Sequence, residues 1–127
     1  MLYIMKKTHL TKTRFSNLEL SDSIVKSLKQ AGYVECTPIQ DKTLPLSLRG
    51  KDVAGQAQTG TGKTAAFLLA TFQHLINDES EKICNPRALI LAPTRELAIQ
   101  IHKDALQLGK LLNFKLALIY GGTDYKK

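Results

Sequence analysis

Seven residues, Gln58-Thr59-Gly60-Thr61-Gly62-Lys63-Thr64, constrain the fold more than any other part of the chain. Two glycines one residue apart let the backbone curl so that successive N–H groups point inward, and a Lys-Thr pair follows where a helix would start. Such a loop is effective between a strand and a helix, because the helix N-terminus adds its own partial positive charge to the amides. Both flanks fit. Residues 52–57 are a short strand candidate, and residues 65–76 are apolar nearly all round, as in a helix buried against a sheet. The loop therefore predicts a cradle for a phosphate chain, with Lys63 reaching the β and γ phosphates and the Thr64 hydroxyl ligating Mg²⁺. Position 57 is Ala where the full pattern has Gly, and a small residue still permits the turn. The competing reading of the same residues is a glycine-rich turn that merely opens a helix.

The flanking sequence predicts an α/β fold with a parallel sheet. Ser21 as N-cap, Ile24, Val25, Leu28 and Ala31 at helical spacing and Gly32 as the stop mark one helix. Thr37-Pro38-Ile39-Gln40 places a capping Thr, a Pro at the first helical position and a Gln three residues after the cap; this second helix is kinked or ended near Pro45 and closed by Gly50. Residues 77–85 read as a polar loop. Residues 87–92 form a continuous apolar run of the buried parallel type, ended by Pro93. Leu97, Ile101, Ala105 and Leu108 give the next helix its stripe, and residues 115–120 are a third strand closed by Gly121-Gly122. Strand, helix, strand, helix, strand implies right-handed crossovers.

At 127 residues one core is expected, and no apolar run is long enough to span a bilayer. Of the net charge of +7, four charges belong to Lys6, Lys7, Lys12 and Arg14, ahead of the first acidic residue. Residues 1–14 thus read as a basic arm, either plainly solvated or phosphate-binding, and residues 15–127 as the domain proper. The first five residues are apolar ahead of the lysines, the reverse of a signal peptide, so a cytoplasmic protein is expected. Cys36 and Cys84 have no partner at disulfide or metal-ligand spacing and read as reduced thiols. His9, His74 and His102 match nothing catalytic. Spacing alone places no acidic residue at the end of a second strand, since Asp124 lies past the glycine pair and reads as a loop carboxylate, so the chain is expected to bind a triphosphate without cleaving it.

Four segments stand in register: residues 32–40 ending in Thr37-Pro38-Ile39-Gln40, residues 57–64, Pro93-Thr94-Arg95-Glu96-Leu97-Ala98, and Gly121-Gly122. In order and spacing they resemble the opening of the DEAD-box RNA helicases. The resemblance implies a RecA-like ATP-binding domain, ATP and Mg²⁺ as cofactors and RNA as partner. Within the family the chain is similar to a bacterial member that works with the RNA degradosome, whose scaffold is a partner implied for a full-length relative. Carried over, the adenine-reading motif implies that the Gln40 amide reads adenine, with Phe15 and Tyr33 packing on or beside the ring; a capping box for Gln40 and plain core packing for the two aromatics are the other readings. Thr37 resembles the residue that braces the phosphate loop, and Gln58, Thr59, Gly60, Thr61, Gly62, Lys63 and Thr64 resemble the loop itself.

Pro93, Thr94 and Arg95 resemble residues that touch the RNA sugar-phosphate backbone, and Gly121 and Gly122 resemble the paired glycines that let RNA approach; a strand-ending turn is the other reading of the pair. Glu96 could instead pair with neighbouring bases. The chain stops before the Asp-Glu-Ala-Asp motif, the Ser-Ala-Thr motif and the second RecA-like domain with its arginine finger. The resemblance thus implies an ATP-dependent RNA helicase whose hydrolysis motifs lie outside these residues. Two further readings stand beside it: a truncated, non-catalytic ATP- or RNA-binding fragment, and an unrelated phosphate-loop kinase or GTPase.

Overall fold

Side-chain caps at Thr37 and Thr94 and glycines at 32, 50, 62 and 109 mark helix starts and ends. A computed structural model describes residues 10–78 and 85–122. A short 3₁₀ turn, Phe15–Asn17, precedes α1 (Asp22–Gln30), α2 (Pro38–Ser47), α3 (Lys63–Asn77) and α4 (Arg95–Leu108). No helix of the described residues is long and apolar enough to cross a membrane. The stops are as expected: at Gly32 (φ +82°) the N–H of Tyr33 donates to Leu28 O and that of Gly32 to Lys29 O, and at Gly50 (φ +75°) Lys51 and Gly50 do the same to Leu46 and Ser47. These paired bonds are the Schellman closure that a left-handed glycine allows.

One start differs from expectation. Ser21 occupies the N-cap of α1, but its hydroxyl makes no cap bond and meets the Ser23 hydroxyl at 3.1 Å. Its N–H donates instead to Oε1 of Gln73 on α3, at 2.6 Å. The backbone of this N-cap is thus held by a long-range partner, and its side chain does not cap the helix. Helix α2 ends at Ser47, near Pro45 as expected; the proline falls in the last turn, where its missing N–H forfeits a single helical bond.

Helix α3 is the centre of the packing, touching α1, α2 and α4. Its Leu68, Leu69 and Phe72 are fully buried with Ile24 and Leu28 of α1, Leu44 of α2 and Ile101, Ala105 and Leu108 of α4. Each such side chain contributes about 1.5–3 kcal/mol on leaving water. Phe72 also meets the Phe114 ring at 5.5 Å between centroids, tilted by 40°. Not all of α3 is covered, since Phe67 and Ile76 remain exposed.

The three expected strands are not joined in a ladder among the described residues. Residues 111–120 alternate exposed and half-buried, the period-two pattern of a strand with one face on a core, and Leu112, Phe114 and Leu116 pack on the cluster. Residues 87–92 depart further from the buried strand expected of them: Leu89 and Leu91 are 82% and 83% exposed. A continuous apolar run states that both faces need cover, and no described segment pairs with this one. Backbone pairing occurs elsewhere, between the chain before the 3₁₀ turn and residues 34–36: an antiparallel bridge joins Arg14 to Glu35, and Phe15 N–H donates to Val34 O at 3.2 Å. The expected arm boundary at residue 14 falls inside this pairing; Lys6, Lys7, His9, Cys84 and Asp124 lie outside the described residues.

Cys36, at the end of the pairing, is fully buried, and burial, reinforced by the Asp41 carboxylate, pushes its thiol up to about 11. A raised thiol pKa leaves little thiolate at neutral pH. In a Cys84→Ser background, Cys36 is expected to resist iodoacetamide at pH 8 until denaturant is added; rapid alkylation of the native chain would contradict its placement. Phe72→Ala is expected to cost about 3–5 kcal/mol in urea unfolding.

Candidate functional site

Thr37 starts the site. Its hydroxyl accepts from the Gln40 N–H at 3.5 Å while Gln40 Oε1 accepts from the Thr37 N–H at 2.8 Å, so the expected capping box is present in both directions. Pro38 at the first helical position presets the backbone there. The second end of the Gln40 amide crosses to the loop: Nε2 donates to Gly62 O at 3.1 Å. With 1% of its surface exposed, Gln40 is a buried polar group with both amide ends engaged. Its orientation follows from the partners, since only oxygen can face an N–H and only nitrogen a carbonyl.

Gly60 and Gly62 both have left-handed φ, +78° and +87°, and Gly62 is the N-cap of α3. Space around Gly60 is open, whereas a Cβ on Gly62 would collide with the Gln40 amide and lie 3.3 Å from Thr37 Oγ1. Gln40 thus bonds the loop at Gly62, and the Thr37 hydroxyl borders the space that a side chain there would fill. The Thr61 hydroxyl donates to Gln58 O at 2.8 Å and closes the turn.

Among the described residues, the N–H groups of 59–65 donate to no backbone carbonyl and no side chain. That row of amides, the start of α3 and the Lys63 ammonium fit a triphosphate, and the Thr64 hydroxyl beside them is a donor of the kind Mg²⁺ takes. The Lys63 ammonium itself donates to Ala57 O and, at 2.6 Å, to Gln58 O.

The aromatics lie in a different cluster. Phe15 is 1% exposed and belongs to the core; with Tyr33 it lines a small crevice beside Val25 and Lys29 of α1. Burial, and then the Asp104 carboxylate on α4, hold the Tyr33 phenol above its usual range. The described surroundings of the pair are the core cluster and α1.

The second group of expected residues is brought together across 26 positions. Thr94 caps α4, its hydroxyl accepting from Leu97 N–H at 3.2 Å, and Pro93 precedes it. Arg95 Nη2 donates to Gly121 O at 2.7 Å, and its guanidinium lies 5.3 Å from the centre of the Tyr120 ring. A Cβ on Gly122 (φ +83°) would press on the same guanidinium at 2.9 Å. The Arg95 contact with Tyr120 had no signal in the spacing. His74, expected at the surface, bonds Ser47 O at 2.8 Å and ties α3 to the end of α2.

Residues 37–127 match the model of the DEAD/DEAH box helicase family. The chain is 58% identical over 121 residues to the ATP-dependent RNA helicase RhlB of Psychromonas ingrahamii, covering 93% of this chain and 29% of that protein. It is 54% identical over 126 residues to RhlB of Salmonella arizonae, covering 97% of this chain and 30% of the relative. The chain thus spans less than a third of the length of these relatives. Among solved structures, it superposes on the ADP-bound RNA helicase Prp28 of Chaetomium thermophilum with TM-score 0.77 at 38% identity, covering 91% of this chain and 28% of that one. A DEAD box protein of Methanococcus jannaschii matches with TM-score 0.76 at 38% identity over 87% of this chain and 30% of that one. The RecA-like α/β class expected from the sequence is that of these neighbours.

The two loop glycines are expected to respond differently to alanine. Gly60→Ala, with open space, should cost only the left-handed backbone term, about 1–2 kcal/mol. Gly62→Ala must in addition displace the Gln40 amide and should cost more in urea unfolding. Equal losses would contradict the contact.

Proposed function

Because the chain belongs to the DEAD/DEAH box helicase family, we propose that its residues form the ATP-binding and RNA-contacting part of the first RecA-like domain of an ATP-dependent RNA helicase. The observation that carries this reading is the Gln40 amide, which ties the start of α2 to the turn of the phosphate loop. One residue thereby touches both parts of a site that must recognise a base and a triphosphate together.

On this reading Lys63 exchanges its contacts with Ala57 O and Gln58 O for the β and γ phosphates, and the free amides of the loop hold the remaining oxygens. Thr64 holds Mg²⁺, which when bound neutralises phosphate charge. Gln40 reads adenine through its second N–H and second lone pair, its first of each being used by the protein. Phe15 and Tyr33 act through packing, by fixing the chain that leads into Thr37. Pro93, Thr94, Arg95, Gly121 and Gly122 contact RNA through its sugar-phosphate backbone, which orients RNA without reading its sequence. Cytoplasmic localisation fits ligands of this kind. The degradosome scaffold is proposed as a partner of a longer protein containing this segment.

Hydrolysis is a separate matter. Among the described residues no carboxylate bonds to residues 57–64, and the ion pair found, Arg87 with Asp78 at 3.5 Å, lies elsewhere. The 127-residue chain by itself is therefore expected to hold ATP without turning it over, with or without RNA; RNA-stimulated turnover by this chain would contradict that. In equilibrium titrations, Lys63→Ala should weaken ATP about tenfold or more, since a charge-assisted bond contributes about 1.5–3 kcal/mol. Gln40→Ala should remove the preference for ATP over GTP. A wild-type chain that prefers GTP would overturn the adenine reading.

A further inference from the structure

The segment ahead of the 3₁₀ turn ends on a single peptide group. Thr11 N–H donates to Cys36 O at 2.8 Å, and the Thr11 hydroxyl donates to the same oxygen at 3.1 Å. Cys36 N–H returns a bond to Thr13 O at 2.8 Å, and Thr13 N–H donates to the Thr11 hydroxyl at 3.3 Å. The main-chain bonds are those of an antiparallel pair and need no particular side chain. The hydroxyl bond is different, because it places a second donor on a carbonyl that already has one.

That carbonyl belongs to the peptide plane linking Cys36 to Thr37. The same rigid plane carries the Thr37 N–H, which donates to Gln40 Oε1 at 2.8 Å. A peptide group cannot turn its N–H without turning its C=O. Two donors from Thr11 on one edge therefore set the direction in which the other edge meets the Gln40 amide. Gln40 in turn reaches Gly62 O at 3.1 Å. The order of contacts is Thr11, the 36–37 peptide, Gln40 and the phosphate loop, with each link a hydrogen bond or a rigid bond.

We infer that Thr11 is a positioning residue: its hydroxyl fixes the 36–37 peptide and so aims the Gln40 amide. Its consequence for ligand choice rests on the adenine reading of Gln40 given above, whereas its effect on the peptide does not. The side chain need not meet a ligand. Residues 10–14 then serve as a strap on the site rather than as the end of a solvated arm.

The test uses the full chain as wild type, Thr11→Val and Thr11→Ser. Valine keeps the branched shape and the backbone N–H but lacks the hydroxyl; serine keeps the hydroxyl. Amide hydrogen exchange is read by NMR in the free protein. Thr11→Val should speed exchange at Thr37 and Gln40 by about three- to tenfold, the worth of one ordinary hydrogen bond, and leave amides in the middle of α1 and α3 unchanged. Thr11→Ser should restore the wild-type rates. Unchanged rates at 37 and 40, or acceleration spread equally through α1 and α3, would overturn the proposal.

Titrations with ATP, GTP and inorganic tripolyphosphate then separate the two claims. Thr11→Val should reduce the preference for ATP over GTP by about the same factor and change tripolyphosphate affinity by less than it changes ATP affinity. If Gln40→Ala leaves the nucleotide preference intact, the adenine reading fails while the exchange result still decides the role of Thr11. If Gln40→Ala changes the preference and Thr11→Val does not, the strap has no part in ligand choice and that half of the proposal falls.

Discussion

The structure turns on one side-chain amide. Gln40 accepts from the Thr37 N–H and donates to Gly62 O, so a local helix cap and a turn 22 residues further along the chain share a residue. Burial makes the arrangement demanding. An amide at 1% exposure that lost either partner would leave a polar group without compensation, at a cost of about 1–3 kcal/mol. The need for glycine at position 62 follows in part from the same contact, because the amide occupies the space a side chain there would need. Helix α3 then begins where the loop leaves it, with its first N–H groups open toward the loop.

Around this contact the packing is arranged in two tiers. Leu68, Leu69 and Phe72 root α3 in the core, which holds the helix N-terminus still while the loop before it stays exposed. On the other side of the chain, α4 starts at a Thr94 cap and its Arg95 grips the 120–122 turn. The glycine loop and the Thr94-Arg95 pair therefore each stand at the start of a long helix, and α3 and α4 pack directly on one another.

Much of this was legible in local sequence. Thr37-Pro38-x-Gln40 specifies its own cap because both partners lie within one turn, and Gly32 and Gly50 end helices through bonds spanning six residues. What escaped was non-local. Nothing in the spacing says that Gln40 would meet Gly62, that Gln73 would accept from the N–H of Ser21, or that Thr11 would clamp Cys36. Phe15 and Tyr33 show a related limit: an aromatic upstream of a ligand motif has the same sequence signature whether it packs in the core or lies against a base. For Leu89 and Leu91 the apolar run announced a need for cover without naming the cover.

The central claim is that Gln40 mechanically joins the cap of α2 to the phosphate loop. The most direct measurement is the NMR signal of the Gln40 side-chain amide during titration with tripolyphosphate, a ligand with no base. Occupying the loop alone should shift that signal, because its Nε2 bonds to the loop at Gly62. The Thr37 amide signal should move with it. Shifts confined to residues 58–64, with Gln40 and Thr37 unmoved at saturation, would contradict the account.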